Sequence, residues 1–227
     1  MKKGCTAVIV AAGTAQRMCG IDKMMTPLGG VPLLLRTVRA LSASEKIIDM
    51  IIVTRKELLQ DARELCERDD KRSCAVVAGG SSRAESVLRG LEAVRTELVA
   101  IHDGARPLVS VRVIEEVIAA AEQYGAAAPA IPVHDTIKIA QNGIVVQTPD
   151  RRTLFAVQTP QVFRTETIRA ALQAALAQNL PLTDDCSAME AAGYPVHLTA
   201  GEEENLKITV PSDLTLAEAI LKRREEA

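Results

Sequence analysis

Three clusters along the chain carry residue types that handle phosphate. The first runs Ala11-Ala12-Gly13-Thr14-Ala15-Gln16-Arg17-Met18 and continues to Asp22-Lys23. Small residues directly after an apolar run let backbone N–H groups approach an anion, and Arg17 and Lys23 add two cations. No Gly-Lys-Ser/Thr follows, so this is not a Walker A loop, nor is it a G-x-G-x-x-G turn. The second cluster is Gly79-Gly80-Ser81-Ser82-Arg83-Ala84-Glu85-Ser86-Val87. Its glycines, hydroxyls and helix start suit a ribose or a polar heterocycle. They equally suit a helix cap on Ser81 or Ser82, with Glu85 closing a capping box. The third is His102-Asp103-Gly104-Ala105-Arg106-Pro107. One carboxylate beside phosphates is the usual way to hold Mg²⁺, which keeps several waters. Arg106 could grip a second phosphate or simply pair with Asp103. His102 has no partner histidine at ligand spacing and reads as a packed strand residue.

Weaker signals follow downstream. Asp135-Thr136-Ile137-Lys138 and Asp150-Arg151 flank a possible arm, and Lys207 stands in Asn205-Leu206-Lys207-Ile208-Thr209 as a further phosphate contact. Thr183-Asp184-Asp185 reads as a helix N-cap with first-turn acids. Glu202-Glu203-Glu204 reads as a solvated run. The sum is several cations and one or two acids, with no Ser-His-Asp set and no Cys-His pair. That is a site for polyphosphate chemistry rather than acyl transfer.

The elements that must position these groups follow an α/β rhythm. Thr6–Ala11 is a continuous apolar, β-branched run, the signature of a strand covered on both faces. Strands are expected at 47–54, 74–78, 98–102, 126–132 and 196–199. Helices are expected at 33–41, 57–68, 83–94, 111–124, 166–178, 184–192 and 213–224. Strands alternating with helices of this length imply βαβ units and a mostly parallel sheet, at whose carboxyl edge ligands bind. The rhythm breaks at 134–159. There Thr136–Ile139, Asn142-Gly143 and Ile144–Val146 read as a hairpin with a type I′ turn. A lone hairpin is marginal in water, so it is expected to pair with a second subunit or lie on the main sheet. Residues 1–227 read as a single domain, with 134–159 as its arm.

Composition narrows the field further. The 227 residues are 48% hydrophobic and 25% charged, with a net charge of −2. Two Phe, two Tyr and no Trp argue against a base-stacking nucleic-acid platform, and the charge argues against a duplex-DNA binder. The cysteines, at 5, 19, 66, 74 and 186, include no C-x-x-C pair, so neither a zinc ribbon nor a redox dithiol is indicated. The apolar N-terminal run is short and soon followed by Arg17, unlike a signal peptide, and no stretch is long enough to span a membrane. A cytoplasmic protein is expected.

Together the segments resemble the 2-C-methyl-D-erythritol 4-phosphate cytidylyltransferases of non-mevalonate isoprenoid synthesis. The resemblance rests on A-A-G-x-x-x-R-M at 11–18, G-G-x-x-R-x-x-S-V at 79–87 and H-D-G-A-R-P at 102–107. It continues with D-T-I-K at 135–138, D-R at 150–151, Q-T-P-Q at 158–161, T-D-D at 183–185 and N-L-K-I-T at 205–209. Ala15 stands where the family has a second glycine, and Asp22 where it has a proline. The length is that expected of a stand-alone transferase without a fused cyclase.

The resemblance implies a Rossmann-like, three-layer nucleotidyltransferase fold with a protruding β-hairpin. It implies transfer of CMP from CTP to a sugar-alcohol phosphate, with Mg²⁺, releasing pyrophosphate, by a homodimer joined through the arm. Carried over, Arg17 and Lys23 act on the α-phosphate and leaving pyrophosphate. Ala11, Ala12, Gly13, Gly80, Arg83 and Ser86 hold the nucleotide. Asp103 positions the metal. Arg106, Lys207 and the other subunit's copies of Thr136 and Arg151 grip the acceptor phosphate. Ribitol 5-phosphate cytidylyltransferases share the chemistry and are the nearest alternative, and a non-catalytic CTP-binding regulator is the alternative of another class.

Overall fold

The structure is a computed structural model of the chain and describes residues 1–13, 23–67 and 74–226. Strand β1 (Lys2–Ala11) leads to the short ladder β2 (Pro27–Leu28) and β3 (Val31–Pro32), then to α1 (Leu33–Ser42) and β4 (Ile47–Thr54). Next come α2 (Leu59–Glu67), β5 (Cys74–Ala78), α3 (Arg83–Ala93), β6 (Thr96–Asp103), α4 (Val111–Tyr124) and β7 (Ala126–Pro132). The hairpin β8 (Ile139–Gln141) and β9 (Ile144–Gln147) precedes β10 (Phe155–Val157), β11 (Gln161–Arg164) and α5 (Thr165–Ala177). The chain closes with α6 (Asp185–Ala191), β12 (His197–Ala200) and α7 (Pro211–Glu226).

The main sheet runs β10-β7-β11-β6-β1-β4-β5, with β12 also paired to β7. β1 pairs in parallel with β4 and β6, β4 with β5, and β12 with β7. β11 runs antiparallel between β6 and β7, and β10 antiparallel to β7. The sheet is therefore mostly parallel, as its alternating pattern predicts. The two reversed strands depart from that pattern: each is short, and Pro160 interrupts the stretch between them.

The apolar run of β1 feeds both faces of the sheet. Cys5, Ala7, Ile9 and Ala11 pack into one core with residues of α1, α2, α4 and α7. Val8 packs into the other with residues of α3, α5 and α6. This is a three-layer α/β arrangement, and each fully buried Leu, Ile or Phe adds roughly 1.5–3 kcal/mol. Ser110 caps α4 by accepting from Val113 N–H, and Gly125, at φ 88°, ends it in the left-handed conformation that glycine adopts without strain.

The hairpin forms a separate two-stranded sheet whose strand residues are all exposed. Asn142 and Gly143 both have positive φ, 51° and 80°, as a type I′ turn requires. Its first strand begins at Ile139 rather than Thr136. Past the ladder the two legs are joined by Lys138 Nζ, which donates to Thr148 Oγ1 at 2.8 Å, and at the base by Val133 N–H, which donates to Leu154 O at 3.1 Å. No helix among the described residues is long and apolar enough to cross a membrane.

Candidate active site

Parallel register brings the chemistry-bearing loops together. Ala11 of β1 lies opposite Thr54 of β4, Thr54 opposite Ala78 of β5, and Val10 opposite Asp103 of β6. Gly79 N–H donates to Thr54 O at 2.7 Å and Gly104 N–H to Val10 O at 2.9 Å. The loops thus leave the sheet edge side by side. Between them opens a cleft of about 630 Å³, a volume suited to a nucleotide-sized ligand. Its walls include Ala11, Ala12, Gly13, Lys23, Gly80, Arg83, Ser86, Asp103 and Lys207.

The Gly79-Gly80 turn is shaped from within. A Cβ on Gly79 would stand 2.6 Å from Ala12 Cβ, so the first two clusters meet there with no room for a methyl group. Gly80 N–H donates to Ser86 Oγ at 3.0 Å, and Ser86 Oγ donates to Ser82 O at 2.8 Å. Ser86 therefore builds the loop in this structure. Ser82 is the N-cap of α3, accepting from Glu85 N–H. Glu85 Oε2 accepts from Ser81 N–H and Ser81 Oγ, both at 2.6 Å, instead of closing a box on Ser82.

Asp103 sits on the cleft floor amid three cations. Lys207 Nζ is 2.8 Å from its carboxylate, Arg83 Nη2 3.5 Å and Arg106 Nε 3.7 Å. Burial opposes ionisation, but Lys207, Arg83 and Arg106 outweigh it and pull the carboxyl down to about 2. Asp103 is thus ionised at any physiological pH. Among the described residues no cluster of three His, Cys, Asp or Glu could hold a metal alone. A single ionised carboxylate at a strand end fits a Mg²⁺ that arrives on a polyphosphate and keeps water as its other ligands.

Behind the floor lies a buried polar network. His102 is fully buried, and that burial drives its pKa down to about 4, so the ring is neutral. Its Nε2 meets Arg106 O at 3.0 Å and its Nδ1 meets Thr159 Oγ1 at 3.0 Å. Thr159 Oγ1 in turn accepts from Asp103 N–H at 3.1 Å. The histidine therefore fixes the turn that carries Asp103 and Arg106. Asn205 Nδ2 donates to Thr159 O at 2.9 Å and to Gln158 Oε1 at 3.2 Å, while Arg106 Nη1 donates to Asn205 O at 2.6 Å. Lys23 Nζ donates to Ile208 O at 2.8 Å. These bonds hold the Lys207 segment against the first and third clusters.

The family model for 2-C-methyl-D-erythritol 4-phosphate cytidylyltransferases (IspD) matches residues 5–223. The chain belongs to this family. It is 43% identical over 221 residues to the cytidylyltransferase of that name from Geobacillus thermodenitrificans, covering 96% of this chain and 97% of the relative. It is 44% identical to the one from Desulforamulus reducens, covering 96% of each. The crystal structure of 4-diphosphocytidyl-2C-methyl-D-erythritol synthase from Anaerococcus prevotii superposes with a TM-score of 0.88 at 32% identity, covering 97% of this chain and 96% of that one. The Thermus thermophilus cytidylyltransferase gives 0.80 at 33% identity, covering 96% and 99%.

Among the residues singled out as a cytidylyltransferase site, Ala11, Ala12, Gly13, Lys23, Gly80, Arg83, Ser86, Asp103 and Lys207 converge on the cleft. Arg106 lies just behind Asp103, its side chain 12% exposed. Arg17, Ala15 and Asp22 lie outside the described residues. Thr136 and Arg151 are exposed at the hairpin base and do not line the cleft of their own chain, Arg151 Nη1 donating to His134 O at 3.1 Å. The run at 202–204 is not simply solvated: Glu202 accepts from Ser110 and Arg112, and Glu204 from Arg224. Arg55, Lys56 and Glu57, which no motif flagged, also line the cleft. Position after a predicted strand was the only signal that could have found them.

Proposed function

We propose that the chain transfers CMP from CTP to 2-C-methyl-D-erythritol 4-phosphate. The observation that carries this reading is Asp103, ringed by Lys207, Arg83 and Arg106 beneath two small-residue loops. An oxygen of the acceptor phosphate attacks the α-phosphorus of CTP. A new phosphoanhydride bond forms, the bond to the bridging oxygen of the β-phosphate breaks, and pyrophosphate leaves with the electron pair. A phosphate monoester is largely ionised at pH 7, so no strong general base is needed. The obstacle is the approach of two anions, and fixed cations lower it.

In this reading Arg17 and Lys23 face the α-phosphate and the leaving pyrophosphate, while Ala11, Ala12, Gly13, Gly80, Arg83 and Ser86 form the nucleotide wall. Asp103 would hold Mg²⁺, which when bound would supply charge neutralisation on the triphosphate. Lys207 and Arg106 receive the acceptor phosphate, completed by Thr136 and Arg151 of a second copy. The apolar, wholly exposed hairpin supports a homodimer, with residues 134–159 as the arm of a one-domain protomer. We also propose a cytoplasmic location, where CTP is available.

The deciding experiment measures pyrophosphate release from CTP and Mg²⁺ with each polyol phosphate in turn. Turnover with methylerythritol phosphate is expected. Turnover with ribitol 5-phosphate alone overturns the acceptor, and tight CTP binding without any turnover overturns the enzyme in favour of a CTP-binding regulator. The relatives described above carry the methylerythritol name, which favours the first outcome.

A further inference from the structure

Asp185 has no task in the reaction just described, yet its side chain is 1% exposed. Taking a carboxylate out of water costs several kcal/mol unless a cation holds its charge. Its ion-pair partner among the described residues is Arg83, with Nη2 2.8 Å from Asp185 Oδ2. Neither Asp185 oxygen accepts a hydrogen bond from any other described group. The same Arg83 nitrogen is 3.5 Å from Asp103 Oδ1, so two carboxylates compete for one guanidinium and Asp185 is the nearer.

Asp185 is also rigidly mounted. Gln161 Oε1 on β11 accepts from Asp185 N–H and Cys186 N–H, both at 3.1 Å, and Gln161 Nε2 donates to Asp184 Oδ2 at 2.7 Å. Asp184 caps α6 by accepting from Ser187 N–H at 2.9 Å. Four hydrogen bonds thus fix the first turn of α6 and aim its buried carboxylate at Arg83. Arg83 itself is about a third exposed and lines the cleft.

We propose that Asp185 is a positioning residue for the nucleotide: it tethers the Arg83 guanidinium at the cleft wall and keeps it from collapsing onto Asp103. The buried charge explains why a carboxylate is spent where an apolar residue would pack more cheaply. A guanidinium tethered from behind meets the nucleotide with its orientation already set, so less freedom is lost on binding. Without the tether, Arg83 would close on Asp103 and withdraw from the nucleotide. The acceptor side, built on Lys207 and Arg106, would keep its geometry. The proposal rests on the reading of the cleft as a CTP site.

The test uses full-length Asp185→Asn, Arg83→Gln and the double variant, in calorimetric titrations with CTP and Mg²⁺ without acceptor, and then in steady-state assays. Asp185→Asn is expected to weaken CTP binding and raise KM for CTP roughly tenfold or more, the scale of a lost charged hydrogen bond. KM for the acceptor should stay within about twofold of wild type. Because Asp185 acts through Arg83, the double variant should bind CTP no more weakly than Arg83→Gln alone. Unchanged CTP affinity in Asp185→Asn overturns the proposal, as do losses in the two single variants that multiply in the double. Equal loss toward both substrates also overturns it. Should Asp185→Asn fail to fold, the double variant carries neither buried charge, and its comparison with Arg83→Gln decides the matter. Wild-type protein that binds no CTP instead refutes the CTP reading of the cleft.

Discussion

Lys207 Nζ lies 2.8 Å from Asp103 Oδ2, so the cation assigned to the acceptor phosphate and the carboxylate assigned to the metal form an ion pair with each other. The pair makes Asp103 a contributor to stability with a definite acid limb. Its folded-state carboxyl titrates at about 2 against an ordinary 3.8. Stability from this depression is therefore present above about pH 4 and lost as pH falls through about 2, amounting to about 2 kcal/mol. Urea unfolding of wild type and Asp103→Asn should show the gap between them narrowing by that amount from pH 6 to pH 2. A constant gap would mean that Asp103 is not held by its cations.

His102 gives a limb in a different window. A histidine buried neutral must take up a proton on unfolding, so its contribution is full above about pH 6.5 and is lost as pH falls toward about 4. The loss over that range is about 3 kcal/mol. In His102→Gln the difference from wild type should shrink by this amount between pH 7 and pH 4. The imidazole resonances of His102 should titrate near pH 4 when followed by NMR, and titration near the ordinary value would contradict its burial.

Gly79→Ala tests the contact between the two nucleotide loops. The added methyl group would lie 2.6 Å from Ala12 Cβ and 2.9 Å from Ser86 Oγ, forcing the loops apart at a cost of about 1–3 kcal/mol. CTP affinity measured by calorimetry should fall about tenfold or more. An alanine variant with wild-type affinity would show that the loops separate freely.

Asn205→Ala separates the acceptor half from the nucleotide half. It leaves the buried Thr159 carbonyl and Gln158 amide without the donor at Asn205 Nδ2, a penalty of about 1–3 kcal/mol. The segment carrying Lys207 should loosen, raising KM for the acceptor about tenfold with little change in CTP affinity. A rise confined to the KM for CTP would reverse the assignment of the two halves.

The hairpin predicts a dimer with shared sites. Ile144→Lys with Val146→Lys, both on its exposed strand, should shift sedimentation from dimer to monomer. Mixing Arg17→Ala with Arg151→Ala chains should restore part of the activity that each has lost. Verified mixed dimers without activity would argue that every site is built from one chain.

Much of this architecture was written in local pattern. The β-branched run at 6–11, the Asn142-Gly143 pair and the small-residue turns after strands dictate elements that need no distant partner to be recognised. The reversed strands β10 and β11 were not legible, because three- and four-residue segments acquire their partners only from the assembled sheet. The same limit applied within the site. Asp103, Arg106 and Lys207 stand out as charged residues beside turns, but Asp184 and Asp185 read alike as first-turn acids after a cap at Thr183, whereas Asp184 is itself the cap and only Asp185 lies in the first turn. Its meaning depends on Arg83, about a hundred residues earlier in the chain and brought to 2.8 Å only by folding. Gln158, Thr159 and Asn205 were visible as motif letters, yet nothing local revealed that they bond to one another.

The bond from Lys23 Nζ to the carbonyl of Ile208 crosses 185 positions of chain, and it has a consequence for biosynthesis. On the ribosome the residues of β1, β4, β5 and β6 are all synthesised before the Asn205–Thr209 segment. At that stage the cleft has no Lys207 and no backbone support for Arg106. The contacts that close the acceptor side of the cleft are thus supplied late in synthesis, and a chain cut short before Asn205 would lack both Lys207 beside Asp103 and the carbonyl that receives Arg106.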